Sequence, residues 1–560
     1  MAKVLKKVKR FGGGAFAGSS RARELSPLRP KNVEKTPPCR THCPSGNHIR
    51  EFVTRLAQAE RLGKPADQAY EEAWEILSET SPFPAVCGRV CPAPCEGGCN
   101  RKELDGAVGI NKIERAIGDF ALEKGLKLKR LTEEKRAEKI AVVGAGPGGL
   151  SCAFQLARRG YPVTIYEAME KPGGMLLWGI PGYRLPEGVL EAEIRRILDL
   201  GVELKCGVKI GRDISLEELR SRFQAVFVGI GAQQGVRLGV EGEEAANIFS
   251  GVDFLNRFHH GEKLDLGDKV AVVVVGGGDT AIDAARICRR LGCQVTVLYR
   301  RTLQEMPAIA PEIQEAQTEG IRIEFLAAPI GFVKNGERVS AMRCIRMQLG
   351  EPDSSGRRRP VPIEGSEFQI EVSAVISAIS QEPDFSGFES LIEGRDWIKV
   401  DDQGATKLDG VYAGGDVVAL DIVTTAIGHG RRAAEAIERQ FRATARQSDG
   451  AAPITVQRLR LDHYQREARI EAMTLGIEER LTDANAEVNL GLDRESIVKE
   501  TRRCMSCGYC SDCEKCWLFC QDSAVIKPMK KGELYSFKLE NCTGCKKCAE
   551  ECPCGFIDML

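Results

Sequence analysis

Two stretches of the chain set short β-branched runs ahead of glycine-rich turns. Ile140-Ala-Val-Val143 leads into Gly144-Ala-Gly146-Pro-Gly-Gly149, a helix through Ala157 and a second run, Val163-Thr-Ile-Tyr166, that ends at Glu167. Farther on, Val272-Val-Val-Val275 leads into Gly276-Gly-Gly278-Asp279-Thr280-Ala281, a helix through Arg290 and the strand Gln294-Val-Thr-Val-Leu298. Strand, glycine turn, helix and strand in that order predict doubly wound α/β units. This alternation occupies residues from about 136 to 440. Ahead of it lie helical stretches such as Asp67 to Ser78, and behind it a polar, helix-prone segment over 441–498 reads as a linker packed along the surface.

Composition narrows the class. A soft prior of about 150 residues per domain suggests three or four domains in 560 residues. Seventy-nine basic residues balance 79 acidic ones, which argues against a nucleic-acid binder. No run of about 18 apolar residues is present, so no membrane-spanning helix is expected. The basic start, Met1 to Arg10, lacks the apolar stretch of a secretory signal and reads as a flexible arm. A cytoplasmic protein follows. There are 22 cysteines, most of them in two groups, one at each end; only Cys152, Cys206, Cys288, Cys293 and Cys344 are scattered between. Without an export signal such clusters read as metal or cluster ligands, not disulfides.

Each glycine turn lets backbone N–H groups approach a pyrophosphate at a helix N-terminus, through Gly144, Gly146 and Gly149 in the first and Gly276, Gly278, Asp279, Thr280 and Ala281 in the second. Glu167 ends the first unit's second strand, where a carboxylate accepts from a ribose diol and repels a 2'-phosphate. The second unit ends in Tyr299-Arg300-Arg301. Arginines there suit NADP over NAD, or else cap the sheet edge. Two nucleotides joined by hydride chemistry imply a flavin and a nicotinamide.

The N-terminal cysteines run Cys39-x3-Cys43, then Cys87-x3-Cys91-x3-Cys95-x3-Cys99. This spacing suits an iron-sulfur cluster or a structural zinc. The C-terminal runs Cys510-x2-Cys513-x2-Cys516-x3-Cys520 and Cys542-x2-Cys545-x2-Cys548-x3-Cys552-Pro553 match the bacterial two-cluster ferredoxin spacing. In that pattern the fourth cysteine of each run serves the other cluster, giving Cys510, Cys513, Cys516 and Cys552 for one and Cys542, Cys545, Cys548 and Cys520 for the other. Gln521 stands where a proline normally follows the fourth cysteine. Cys504, Cys507 and Cys554 are left over; Cys504 and Cys507 are either alternative ligands or, the preferred reading, spare thiols near a cluster.

Asp409-Gly-Val-Tyr-Ala-Gly414-Gly415-Asp416 and Thr424-Thr425-Ala-Ile-Gly428-His-Gly430 resemble the two-dinucleotide-binding flavoproteins. The resemblance implies that Gly415 and Asp416 bind FAD and that the helix beginning near Thr425 points its N-terminus at the flavin. Phe83-Pro-Ala-Val-Cys-Gly-Arg-Val-Cys91-Pro-Ala-Pro-Cys95-Glu-Gly-Gly-Cys99, Gly109-Ile-Asn-Lys-Ile-Glu114-Arg115 and Gly173-Gly174-Met175-Leu-Leu-Trp-Gly-Ile-Pro181 resemble the glutamate synthase small-subunit family and the N-terminal half of dihydropyrimidine dehydrogenase. This family implies FAD contacts at Gly174 and Met175 and two 4Fe-4S clusters before residue 135. One takes Cys43, Cys91 and Cys95 with Glu114 as a non-cysteine ligand, unless Glu114 only pairs with Arg115. The second takes Cys39 and Cys99, but its upstream CxxC falls near Lys31 and Glu34. Either this cluster is absent, or Cys87 and a further ligand complete it.

The resulting expectation is an α/β fold: a helical Fe-S domain (1–135), an FAD domain (136–265 and 371–440), an NAD(P) domain (266–370), the linker (441–498) and an α+β ferredoxin-like domain (499–560). FAD accepts hydride and releases single electrons, so the parts make a two-to-one electron converter. The appended ferredoxin module resembles the iron-sulfur flavoproteins associated with dissimilatory sulfite reductase, which implies that partner; two-oxoacid:ferredoxin oxidoreductases or another low-potential enzyme are alternatives. A glutamate synthase small subunit and a non-catalytic electron-wiring subunit are the competing readings, and a homodimer remains open.

Overall fold

The computed structural model describes residues 25–267, 271–394, 397–443 and 452–560, so the basic arm of residues 1–10 lies outside the described residues. Ten strands form the two central sheets: β1 (Ile140–Val143), β2 (Val163–Tyr166), β3 (Glu203–Lys205), β4 (Ala225–Val228), β5 (Ile248–Ser250), β6 (Val272–Val275), β7 (Val295–Tyr299), β8 (Arg322–Phe325), β9 (Ala374–Ser377) and β10 (Val411–Ala413). The first sheet runs β10-β4-β1-β2-β3 and the second β8-β7-β6-β9-β5, with every neighbouring pair parallel. Residues of β1, β6 and β9 are buried throughout, which is why these strands read as near-continuous apolar runs. In each sheet the strand order reverses at the strand that feeds a glycine turn, the position where such sheets hold nucleotides.

The second domain is wider than the sequence suggests. β5 and β9 both hydrogen-bond into the second sheet, so its limits lie outside 266 and 370. A short, largely apolar run carries no mark of which sheet it will join. A three-stranded antiparallel sheet, Ala327–Asn335, Arg338–Pro352 and Arg358–Glu371, is inserted between β8 and β9.

Ahead of β1 lie helices α1 (Ile49–Ala57), α2 (Ala66–Ser78), α3 (Pro84–Val90) and α4 (Ile110–Glu123). α2 buries Ala69, Tyr70, Ala73, Trp74 and Leu77, an apolar stripe at helical spacing. Pro84 opens α3, where its missing N–H costs nothing. The next two N–H groups, of Ala85 and Val86, donate to the buried Glu193 carboxylate at 2.9 and 3.1 Å. These helices share one continuous core with one face of the first sheet. The flavoprotein fold continues through α5 (Pro147–Ala157), α6 (Asp279–Arg290) and α7 (Val423–Arg442).

Of residues 452–498, only Ile477–Thr482 is α-helical ahead of the helix that begins at Arg494. The rest is tied down side chain by side chain: Arg115 donates to Asn489 O at 2.7 Å, Arg89 to Glu487 at 2.8 Å, and Arg469 pairs with Glu96 at 2.5 Å. The following helix α8 (Arg494–Arg502) packs on α1 and α4. Its Glu500, fully buried, accepts from Gly109 N–H at 2.7 Å and from Arg503 at 2.5 Å, while Arg503 donates to Ala107 O at 3.0 Å and Gly106 O at 2.7 Å. The segment across residue 499 thus belongs structurally to the N-terminal helices. The chain ends interlock as well: Pro30–Asn32 pairs antiparallel with Ile557–Met559.

Candidate functional site

The first glycine turn opens a cleft of about 360 Å3 whose walls include Gly144, Gly146, Glu167, Gly174, Met175, Gly415 and Asp416. A Cβ on Gly149 would stand 2.0 Å from Gly144 O, so only glycine lets α5 begin this close to β1. Gly174 has φ +54°, and a Cβ there would meet Gly146 Cα at 2.8 Å; the wall facing the turn is brought in by the absence of a side chain. Glu167 accepts from Ala145 N–H at 2.6 Å and Met169 N–H at 2.9 Å, which fixes its carboxylate at the end of β2. Burial raises its pKa, and burial raises Asp416 from 3.8 to about 6. Ala426, in the first turn of α7, lines the cleft; Thr425 stands beside it in that turn without lining the cleft. His429 Nδ1 accepts from Gly415 N–H at 3.1 Å, so this histidine fastens the turn that carries Asp416. The cleft's length of glycine backbone, its buried acids and its helix N-terminus suit a dinucleotide with a flavin at one end.

At the second turn, α6 starts with Asp279, Thr280 and Ala281 behind Gly276 and Gly278. Asp279 accepts from Ile309 N–H at 2.9 Å, and Ala308 N–H donates to Gly277 O at 3.0 Å, so the 306–309 loop is laid against the turn. The two arginines expected at the 2'-phosphate part company. Arg301 is buried, pairs with Asp353 at 2.8 Å and donates to Arg358 O at 2.7 Å, so it fastens the sheet edge. Arg300 is exposed and makes no ion pair among the described residues. Partial desolvation of its guanidinium and the nearby Arg301 and Arg357 lower its pKa, as expected where cations crowd a strand end. Sequence reasoning missed Asp283. It lies on the buried face of α6, one turn after Asp279, and it binds Arg184 at 2.7 Å and Tyr183 OH at 2.9 Å, tying the second domain to the first. The sequence signal is an acid in step with Arg286 and Arg290 at helical spacing on the same buried face.

Beside the first cleft, Cys91 Sγ stands 3.5 Å from Thr424 Oγ1 at the start of α7 and accepts from Ala93 N–H at 3.4 Å. Cys43, Cys91 and Cys95 all lie within electrostatic range of the Glu114 carboxyl. Glu114 accepts from Asn47 Nδ2 at 3.3 Å. Arg115 turns away from it to Asn489 and to Glu487, the latter at 2.9 Å. Burial, reinforced by Glu193, pushes the Glu114 carboxyl up to about 8. A carboxyl group desolvated among thiols suits a cluster ligand better than a surface ion pair. Cys87 is fully buried in α3 and faces Glu114 and Cys91. It does not join Cys39 and Cys99, which line a separate small cavity.

In the C-terminal module Cys510, Cys513, Cys516 and Cys552 line one cavity of about 20 Å3, and Cys542, Cys545, Cys548 and Cys520 gather at a second centre. Backbone N–H groups of Asp512, Ala524, Gly544 and Phe556 reach the sulfurs of Cys510, Cys520, Cys542 and Cys552 at 3.2 to 3.4 Å; such contacts tune cluster potentials. Cys554 Sγ lies 3.7 Å from Cys552 Sγ. Among the described residues no three of His, Cys, Asp and Glu converge as a single metal ion requires. Nor is any described helix long and apolar enough to cross a membrane.

Comparison with known proteins places this geometry. Residues 138–431 match the pyridine nucleotide-disulphide oxidoreductase family, and residues 33–126 match dihydropyrimidine dehydrogenase domain II, 4Fe-4S cluster. The chain is 37% identical to the NADPH-Fe(3+) oxidoreductase subunit beta of Geobacter sulfurreducens, over 86% of this chain and 77% of that one. It is 36% identical to the glutamate synthase (NADPH) small chain of Escherichia coli K12, over 72% of this chain and 88% of that one. FprA from Mycobacterium tuberculosis shares the fold, with a TM-score of 0.50 at 18% identity over 55% of this chain and 85% of that one.

Proposed function

We propose, from the premise that the chain belongs to the pyridine nucleotide-disulphide oxidoreductase family and to the glutamate synthase small-chain-like iron-sulfur flavoproteins, that it moves electrons between NADPH and a one-electron protein partner, dissimilatory sulfite reductase. FAD, when bound, takes the electron pair of a hydride and passes electrons on singly, which neither a nicotinamide nor a cluster does alone. The chain's own residues orient and insulate that exchange. Gly144, Gly146 and Gly149 hold the pyrophosphate at the start of α5, Asp416 and Gly415 hold the flavin end, and Arg300 selects the 2'-phosphate of NADPH at the second turn. Cys43, Cys91 and Cys95 with Glu114 hold a 4Fe-4S cluster beside α7.

The observation that carries this reading is the 3.5 Å approach of Cys91 Sγ to Thr424 Oγ1, in the same helical turn as the cleft wall at Ala426. It sets a cluster ligand against the helix that faces the flavin. NADPH stands in the names of the Geobacter and Escherichia relatives, and a relative from Moorella thermoacetica is the beta subunit of an NADP(+)-dependent formate dehydrogenase. Both facts support NADPH and a partner subunit. The cytoplasm, where thiols stay reduced, is the compartment this reading requires.

Two measurements test it. NADPH bleaches the flavin of the anaerobic protein at lower concentration than NADH; equal response to both removes the role given to Arg300. Tagged chain isolated from its native host carries dissimilatory sulfite reductase; a glutamine-hydrolysing large subunit in its place makes the chain a glutamate synthase small subunit.

A further inference from the structure

Cys39 and Cys99 are left with two expected partners missing, because the upstream CxxC that the family resemblance implies falls near Lys31 and Glu34. Lys31 lies in the strand that pairs with the C-terminus, and Glu34 is exposed and paired with Arg50 at 2.5 Å. The cavity that Cys39 and Cys99 face is nevertheless lined by four cysteines. The other two are Cys504 and Cys507, a CxxC that arrives from the far end of the chain. We propose that Cys39, Cys99, Cys504 and Cys507 together hold a 4Fe-4S cluster, so that the segment after α8 supplies the two ligands absent from the N-terminus.

Three observations carry this. The cavity measures about 30 Å3 and resembles the one of about 20 Å3 lined by Cys510, Cys513, Cys516, Cys552 and Cys554, the first four of which carry ferredoxin spacing. Its remaining lining is apolar apart from Arg50, Asn100 and Arg101, and Arg50 is paired with Glu34 and Glu51 and Arg101 with Asp105. Asn100 Nδ2 also lies 3.8 Å from Cys507 Sγ, and Arg50 donates to Cys507 O at 3.1 Å. Finally, the CxxC is anchored on the N-terminal side: Glu500 and Arg503 tie it to residues 106–109, and Lys35 N–H donates to Gly508 O at 3.0 Å.

The site also completes a path. Cys39 and Cys43 are four residues apart, and Cys507 and Cys510 three, so ligands of successive centres lie within about 14 and 11 Å along the chain. The shared cluster therefore joins the centre beside α7 to the ferredoxin-like pair. Loading it is a ligand exchange from a cluster held on the thiolates of a carrier protein: four Fe–S bonds to the carrier break, four form to Cys39, Cys99, Cys504 and Cys507, and the four protons these thiols lose pass to the carrier's thiolates, with no change in oxidation state. This deepens the electron-transfer reading above, but its test needs no nucleotide and no partner.

Native mass spectrometry of the anaerobically purified full chain, with iron, sulfide, zinc and FAD quantified, is the direct test. Four clusters and about sixteen irons per FAD are expected. Three clusters, or a zinc ion in place of the fourth, overturn the proposal. The double variant Cys504→Ser/Cys507→Ser is expected to hold about twelve irons per FAD and to lose one EPR signal while keeping FAD and the ferredoxin-like pair. The single variant Cys39→Ser, at the other end of the chain, must remove the same signal. Retention of about sixteen irons by either variant, or loss of different signals in the two, also overturns it.

Discussion

In the ferredoxin-like module, three of the cysteines proposed for each centre fall within one short run of chain, and the fourth comes from the other run of the same module. At the N-terminal end the ligands are dispersed. Cys43 reaches Cys91, Cys95 and Glu114 across two helices, and Cys39 and Cys99 face Cys504 and Cys507 from the far end of the chain. The first arrangement makes a self-contained electron carrier, whereas the second welds the carrier to the flavoprotein. The C-terminal module is fixed to the flavoprotein by packing and buried charge, because α8, Glu500 and Arg503 belong to the N-terminal domain's packing.

The largest effect separating the two ends is loss of a whole centre. Cys548→Ala is expected to remove about four irons per chain and one of the paired EPR signals while leaving the flavin reducible by NADPH. Survival of all clusters in this variant would show that ligands exchange within the module. Next comes the weld. Glu500→Ala removes one carboxylate from the buried Arg503, which keeps Asp105 at 3.1 Å, and is expected to cost about 1.5–3 kcal/mol in denaturant unfolding. Arg494→Ala, on the same helix but at an exposed pair with Asp67, is expected to cost under about 1 kcal/mol. Equal losses in the two would break the distinction between welded and merely touching surfaces.

A smaller effect separates the two nucleotide turns. Arg300→Ala is expected to raise KM for NADPH about 10- to 100-fold with kcat and the KM for NADH little changed, since one charge-assisted contact is lost. Arg301→Ala lowers stability instead, because that guanidinium is spent on Asp353. Smallest is a pH effect at the first cleft. Asp416 is raised from 3.8 to about 6 by burial. Its contribution to stability is therefore complete below 3.8 and is lost as pH rises through about 6. Thermal unfolding of the FAD-free chain should show that decline, and Asp416→Asn should flatten it.

Both glycine turns and both ferredoxin runs were legible because their residues are neighbours in sequence and each spacing has a mechanical reason. The shared cavity was not legible: nothing local to Cys504 or Cys507 points to Cys39, and a spare CxxC reads equally well as an idle one. Sequence could not divide Arg300 from Arg301, since both follow the end of β7 in a bend and only packing shows which of them meets solvent. β9 was misassigned for a similar reason, its three apolar residues and Ser377 fitting either sheet until the hydrogen-bonded neighbour is known.

The central claim, that one chain converts hydride pairs to single electrons and carries them to its C-terminal module, is tested most directly by freeze-quench EPR after anaerobic mixing with NADPH. The account predicts flavin bleaching followed by reduction of the N-terminal centres and then of the ferredoxin-like pair, all without a partner protein. A bleached flavin with every cluster still oxidised, while a strong chemical reductant reduces them all, would contradict it.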